Sequence, residues 1–152
     1  MNFLQKIYKK SKEQKGFTLV EMIVVLVIIA ILAAITIPAL IKYIDKAKEK
    51  QIVIDARTAY LAAETAISEA YAAGKPDLTN KKLQFGTTDG PADAKDVAEE
   101  AEKLTGISKT YQCDVEIDDK WKIKSIKFTE DKKIASMDLA SSTGGAWDVK
   151  DE

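Results

Sequence analysis

The chain contains no histidine. That removes the side chain most used as a general base near neutral pH, and the commonest metal ligand. A single cysteine, Cys113, excludes an intrachain disulfide framework. A reducing compartment explains this as well as an exported protein without disulfides, so cysteine usage leaves location open. On its alternating segment Cys113 reads as a small buried core residue. A strong net charge is also missing: 23 basic and 24 acidic residues leave −1 over 152 residues. That balance points neither to a nucleic-acid-binding surface nor to an acidic tail. No nucleophile–base pair, phosphate loop or metal-ligand cluster is visible, so the chain reads as a structural protein without catalysis and without a cofactor. Asp114, Asp118, Asp119, Glu130, Asp131 and Asp148 could offer oxygens to calcium. Their spacing fits no loop motif, and they read as solvated turns. Tyr60, Tyr71, Tyr111, Trp121 and Trp147 read as core or subunit contacts rather than a stacking platform.

The near-neutral average conceals a polarity along the chain. Before Gly16 there are five lysines (Lys6, Lys9, Lys10, Lys12, Lys15) against Glu13, while the remainder carries 18 basic and 23 acidic residues. Residues 17–41 are almost continuously apolar, interrupted only by Thr18, Glu21, Thr36 and Pro38. As a helix rising ~1.5 Å per residue, such a stretch reaches the ~30 Å of a bilayer's hydrocarbon core. It is apolar all round, so it must be covered all round, by lipid or by other helices. Lysines before it and mixed charges after it (Lys42, Asp45, Lys46, Lys48, Glu49, Lys50) favour a cytoplasmic amino end.

Helical periodicity continues beyond the apolar stretch. Ile52, Ala56, Ala59, Ala63, Ala66 and Ala70 recur at spacings of four and three, with Tyr60, Ile67 and Tyr71 widening the stripe. Gly74 and then Pro76 mark the end. One helix is expected over 18–73, with a kink or unwound stretch between Ala34 and Pro38, where the proline lacks an amide and its ring clashes. Residues 75–90 read as loop, with Asp89-Gly90-Pro91 as a breaker. A short helix is expected over 92–104, with Asp89 or Asp93 near its start and Gly106 after its end. Strands follow. Tyr111, Cys113, Val115 and Ile117 alternate with polar residues, and Asp118-Asp119 makes a turn. Trp121 and Ile123 keep one phase, Ile126 and Phe128 the other, which implies a bulge near Lys124–Ser125. A weaker strand covers Ile134 to Leu139, and Thr143-Gly144-Gly145 introduces a last run with Trp147 and Val149. The expected class is α+β. A long helix, its first half membrane-spanning and its second half amphipathic, packs its alanine stripe on a three- or four-stranded antiparallel sheet.

At the junction of the basic and apolar zones stands Lys15-Gly16-Phe17-Thr18-Leu19-Val20-Glu21. A secretory signal is cut after its apolar segment, yet no small-residue cleavage pattern follows Ile41. Here the sequence resembles the type IV pilin family. The likeness runs residue by residue from Lys15 to about Ala47, and beyond that as architecture only. It implies four zones: a cleaved leader (1–16), a transmembrane and filament-core helix (17–41), the amphipathic half of that helix (42–73) and a globular head (74–152). It implies cleavage between Gly16 and Phe17 by a prepilin peptidase, and N-methylation at Phe17 by the same enzyme. It also implies that Glu21 pairs with the Phe17 amine of a neighbouring subunit, and that Pro38 marks a helix break. Expected partners are identical subunits in a helical homopolymer, the peptidase, an assembly platform protein with its cytoplasmic ATPase, and the membrane; nucleic acid is not among them. The precursor would sit in the cytoplasmic membrane and the product in an extracellular pilus serving adhesion, motility or aggregation.

One departure matters. Many type IV pilins close a carboxy-terminal loop with two cysteines, and one cysteine rules that loop out here. That absence and the sixteen-residue leader lean toward a Gram-positive source. Two other readings share the same helix: a pseudopilin of a type II secretion or DNA-uptake system, and a signal-anchored surface protein that binds a ligand without polymerising. Independently of the family, Glu21 lies one turn from the helix start, where the helix dipole favours a negative charge near the membrane boundary.

Overall fold

The leucine-, isoleucine- and alanine-rich run after Thr18 folds, in this computed structural model, into a single helix, α1 (Leu19–Ala72). The structure describes residues 16–74, 78, 81–86, 94–140 and 145–152. The leader before Gly16, Pro76, the Asp89-Gly90-Pro91 breaker, Asp93, and Thr143-Gly144 lie outside the described residues. The chain divides into two compact units, one ending at Ile44 and the other beginning at Asp45.

In the first unit α1 is helical without interruption from Ala34 through Pro38. The unwound stretch expected there is therefore not adopted. The proline deletes one donor from a long ladder, and the Thr36 hydroxyl holds the preceding turn by donating to the carbonyls of Leu32 (2.9 Å) and Ala33 (3.4 Å).

In the second unit α1 has one buried stripe: Ile52, Ala56, Ala59, Ala62, Ala63, Ala66 and Ile67. Ala62 joins it unforeseen, Ala70 is half-buried and Tyr71 is exposed. Opposite lies a five-stranded antiparallel sheet in sequential order: β1 (Lys82–Gly86), β2 (Tyr111–Ile117), β3 (Ile123–Glu130), β4 (Lys133–Asp138) and β5 (Asp148–Asp151). The sheet has one strand more than the upper expectation, because β1 lies inside the segment read as loop. Its pattern is only five residues long, and Leu83 and Phe85 show their alternation once they pair with Val115 and Cys113. The helix α2 (Lys95–Thr105) starts three residues later than expected. Ala94 precedes it with no side-chain cap, and Gly106 ends it in the left-handed conformation.

Registers place the core in rows. Phe85, Cys113, Phe128, Ala135 and Val149 face one another across all five strands, and Leu83, Val115, Ile126 and Met137 form the next row. Both rows meet the alanine stripe in one hydrophobic cluster. Alanine is needed there because larger side chains would overfill the close contact between helix and sheet. Tyr111 stacks on Phe128 at 5.2 Å and meets Phe85 edge-on at 6.2 Å. The expected bulge is real: Glu116 pairs with Ser125 but Ile117 pairs with Ile123, leaving Lys124 as the extra residue. Gly86 is the one strand glycine that no other residue could replace without movement. Its φ is 107°, and an added Cβ would stand 2.3 Å from the Tyr111 carbonyl oxygen.

Candidate processing and assembly site

Gly16 and Phe17 precede the first helical turn. An added Cβ on Gly16 would meet nothing within 4 Å, and Phe17 is 80% exposed. Neither residue is covered by another described residue. Thr18 and Glu21 then close a reciprocal capping box. The Thr18 amide (3.0 Å) and hydroxyl (2.9 Å) donate to Glu21 Oε2, and the Glu21 amide donates to Thr18 Oγ1 at 3.2 Å. This arrangement satisfies amides that the first turn leaves unpaired. Thr-Leu-Val-Glu before an apolar run is the sequence signature of such a box. Reading Glu21 for its charge alone passed over Thr18 as its local partner. Both donations converge on Oε2, so Oε1 keeps its capacity to accept from another donor.

Behind the box, every described side chain of the first unit is exposed except Ala33, which is half-buried. Leu19 is 74% exposed and Ile35 70%. The stretch is long and apolar enough to cross a membrane. Gly16, Phe17 and Glu21 fall together within one turn of the helix start, and Pro38 lies farther along the same helix.

The second unit carries a further face on α1. Ile54 and Leu61 are 56% and 60% exposed, seven residues apart and so on one side of the helix. Between and after them, the Thr58 and Thr65 hydroxyls donate back to the carbonyls of Ile54 and Leu61, at 3.0 and 2.9 Å. With those hydroxyls satisfied within the helix, the face is more apolar than its composition suggests.

Most of the acidic residues weighed as calcium oxygens have other partners, among them Asp114 with Gln84 and Asp148 with Lys150. Asp118 Oδ1 accepts from the amides of Lys120 (2.8 Å) and Lys122 (2.9 Å), and these bonds, the Lys122 amide foremost, hold its carboxyl below the usual range. Asp119 pairs with Lys81. Glu130 is no solvated turn residue. It is buried at 5% exposure, in phase with Ile126 and Phe128, and paired in register with Tyr111 and Lys133. Lys109 Nζ reaches it at 2.5 Å and Asp55 at 3.7 Å. The hydrogen bond to Glu130 is the main cause of a raised Lys109 pKa. Among the described residues no group of three or more acidic or cysteine side chains gathers as a metal site. Burial pushes the Cys113 thiol far above its ordinary range, which makes it a core atom rather than a nucleophile.

Comparison with known proteins agrees with this geometry. A model of the prokaryotic N-terminal methylation motif matches residues 11–37. Fimbrial protein Q of Moraxella bovis is 40% identical over 86 residues, 52% of each chain. The type IV major fimbrial protein of Dichelobacter nodosus is 39% identical over 62 residues, 41% of this chain and 40% of that one. The narrow pilus major component of Thermus thermophilus is 37% identical over 78 residues, 50% of this chain and 66% of that one. The chain thus spans about half the length of the curated relatives it matches. No solved structure matches significantly. The methylation motif and these fimbrial relatives make the chain similar to type IV pilins over its amino-terminal part, where the apolar helix stands behind its capping box.

Proposed function

We propose that the chain is the structural subunit of a type IV pilus, made as a membrane-anchored precursor and polymerised through α1 into a surface filament. The carrying observation is the first half of α1, whose apolar side chains are exposed on all sides behind a polar, capped start. In a bilayer lipid covers them. Outside it, only other apolar helices can, and identical neighbours in a head-to-tail helical array supply them. The outward Ile54–Leu61 face extends the same logic into the second half of the helix.

A prepilin peptidase cuts between Gly16 and Phe17 and methylates the new Phe17 amine. Extraction from lipid is unfavourable, so an ATPase acting through a membrane platform protein drives it. Glu21 then serves two donors. Its Oε2 keeps the Thr18 cap, while Oε1 accepts from the Phe17 amine of a neighbouring copy, neutralising a charge that a water-free filament core tolerates poorly. Pro38 is the point where the helix ladder is weakest, and there it yields if neighbours demand it.

Glu21→Ala tests this. Mass and amino-terminal sequencing of sheared surface material should show the wild type beginning at methylated Phe17. The variant should be processed alike but give few or no filaments. Normal filament yield from the variant would remove the pairing role. A wild-type chain still beginning at Met1, found only in membranes, would favour the non-polymerising surface-binding protein instead.

A further inference from the structure

A groove in the second unit lies apart from the residues used in the proposed assembly. It runs between the carboxy-terminal turns of α1 and the β2–β3 loop, with a volume of about 530 Å³. That lies within the range of roughly 300–1,000 Å³ usual for small-molecule clefts. Buried Ile67 and Ile123 form its floor. Tyr60, Glu64, Ser68 and Tyr71 line one wall, spaced so that all fall on one side of the helix. Trp121 and Lys122 line the other. The Trp121 and Tyr71 rings stand 5.9 Å apart with their planes inclined by 44°.

Trp121 is held there against backbone preference. Its φ is +61°, the left-handed region that a bulky residue seldom occupies. At this place in a hairpin loop glycine is the unstrained choice. The loop is nevertheless fixed. The Trp121 amide donates to the Asp118 carbonyl (3.2 Å), the Asp118 amide donates to the Lys122 carbonyl (2.8 Å), and Asp118 Oδ1 receives the two amides described above. A strained aromatic in a rigid loop, opposite a second exposed aromatic, is the kind of outlier from which function is argued.

We propose that this groove binds a pyranose saccharide. A purely apolar ligand would make no use of the polar rim formed by exposed Glu64, Ser68 and Lys122. A flat heterocycle stacks best on a coplanar surface, whereas these two touching rings are inclined. A sugar ring rests a C–H face on the surface that Trp121 and Tyr71 present together, with hydroxyls at its edge to Glu64, Ser68, Lys122 and the Tyr60 hydroxyl. The Tyr60 phenol is protonated at neutral pH as any tyrosine is, and burial, then the nearby Glu64 carboxylate, raise its pKa further. The site needs only the second unit, so it stands or falls apart from filament assembly.

The test is tryptophan fluorescence of the full chain in a zwitterionic, sugar-free detergent, titrated with lactose, diacetylchitobiose and a uronic-acid disaccharide. At least one should give a saturable change. Trp121→Gly, titrated by isothermal calorimetry because it lacks the reporting indole, should weaken binding roughly tenfold or more while holding or raising the melting temperature, because glycine suits that φ. Silence from all three sugars overturns the proposal, as does unchanged affinity in Trp121→Gly. A concentration-dependent dimer that fills the groove in place of sugar overturns it too. If Trp121→Gly melts early, exposed Glu64→Gln decides: weaker binding at unchanged melting temperature upholds the site, and equal binding overturns it.

Discussion

The two halves of α1 belong to one helix and differ in what they bury. Between Leu19 and Ile44 large aliphatic side chains point in every direction and none is buried within the chain. From Asp45 onward small alanines gather on one side and disappear against the sheet. The first half finds no cover among the described residues. The second finds its partner within the same chain, apart from the outward Ile54–Leu61 face. Side-chain size thus separates a helix that seeks neighbours from one that anchors a fold. Large residues pack against partners that can adjust their spacing, and alanine lets a fixed sheet approach closely.

The largest expected effect breaks this contrast directly. Phe128→Ala empties the centre of the sheet-helix core and should lower stability by about 3–5 kcal/mol, read from denaturant unfolding in detergent. Leu26→Ala, in the exposed half, should leave that unfolding curve unmoved while reducing filament yield. Equal losses of stability from both would show that the first half also packs within the chain.

A smaller effect is expected from alkali, and only in the second unit. Lys109, Lys133 and Lys150 all have raised pKa values, caused first by hydrogen bonds to Glu130, Asp151 and Asp148. Tyr111 is raised by burial. For groups raised on folding, the stabilisation is complete below the unfolded value and is lost as pH climbs through the folded one. The melting temperature should therefore hold through neutral pH and fall once pH passes the ordinary lysine and tyrosine range near 10. Lys109→Met should remove part of that alkaline dependence. A flat profile to pH 11 would discard the role of these pairs.

The smallest effect belongs to the helix start. Thr18→Ala removes the hydroxyl of the capping box and should cost about 1 kcal/mol of local helix stability. Faster amide exchange over the first turn should report it, with no change in the melting of the second unit. Unchanged exchange would mean that the box is not maintained in the membrane.

Much of this was legible beforehand. The apolar span, the alanine stripe, the strand phases of Tyr111–Ile117 and the bulge at Lys124 follow from periodicities long enough to count. Gly16, Phe17 and Glu21 were legible as a motif. The strand Lys82–Gly86 was not, because five residues with two apolar positions look like loop until partners on both rows reveal their phase. Glu130 was misjudged because a carboxylate suggests solvent. Its position two residues after Phe128 and four after Ile126 was the available signal. Thr18 was missed as Glu21's partner, although the three-residue spacing was the available signal.

Sequence by itself determined that a basic start, a capped apolar helix and an alanine-striped continuation occur in that order. Those features are local, set by residue type at intervals of three, four and seven. Only tertiary structure decided that Glu130 turns inward to Lys109, that Lys82–Gly86 joins the sheet, and that Trp121 is carried in a left-handed turn to face Tyr71. Each of these depends on residues distant in sequence meeting across strands. The free energy of such meetings comes from shared burial, which no local pattern records.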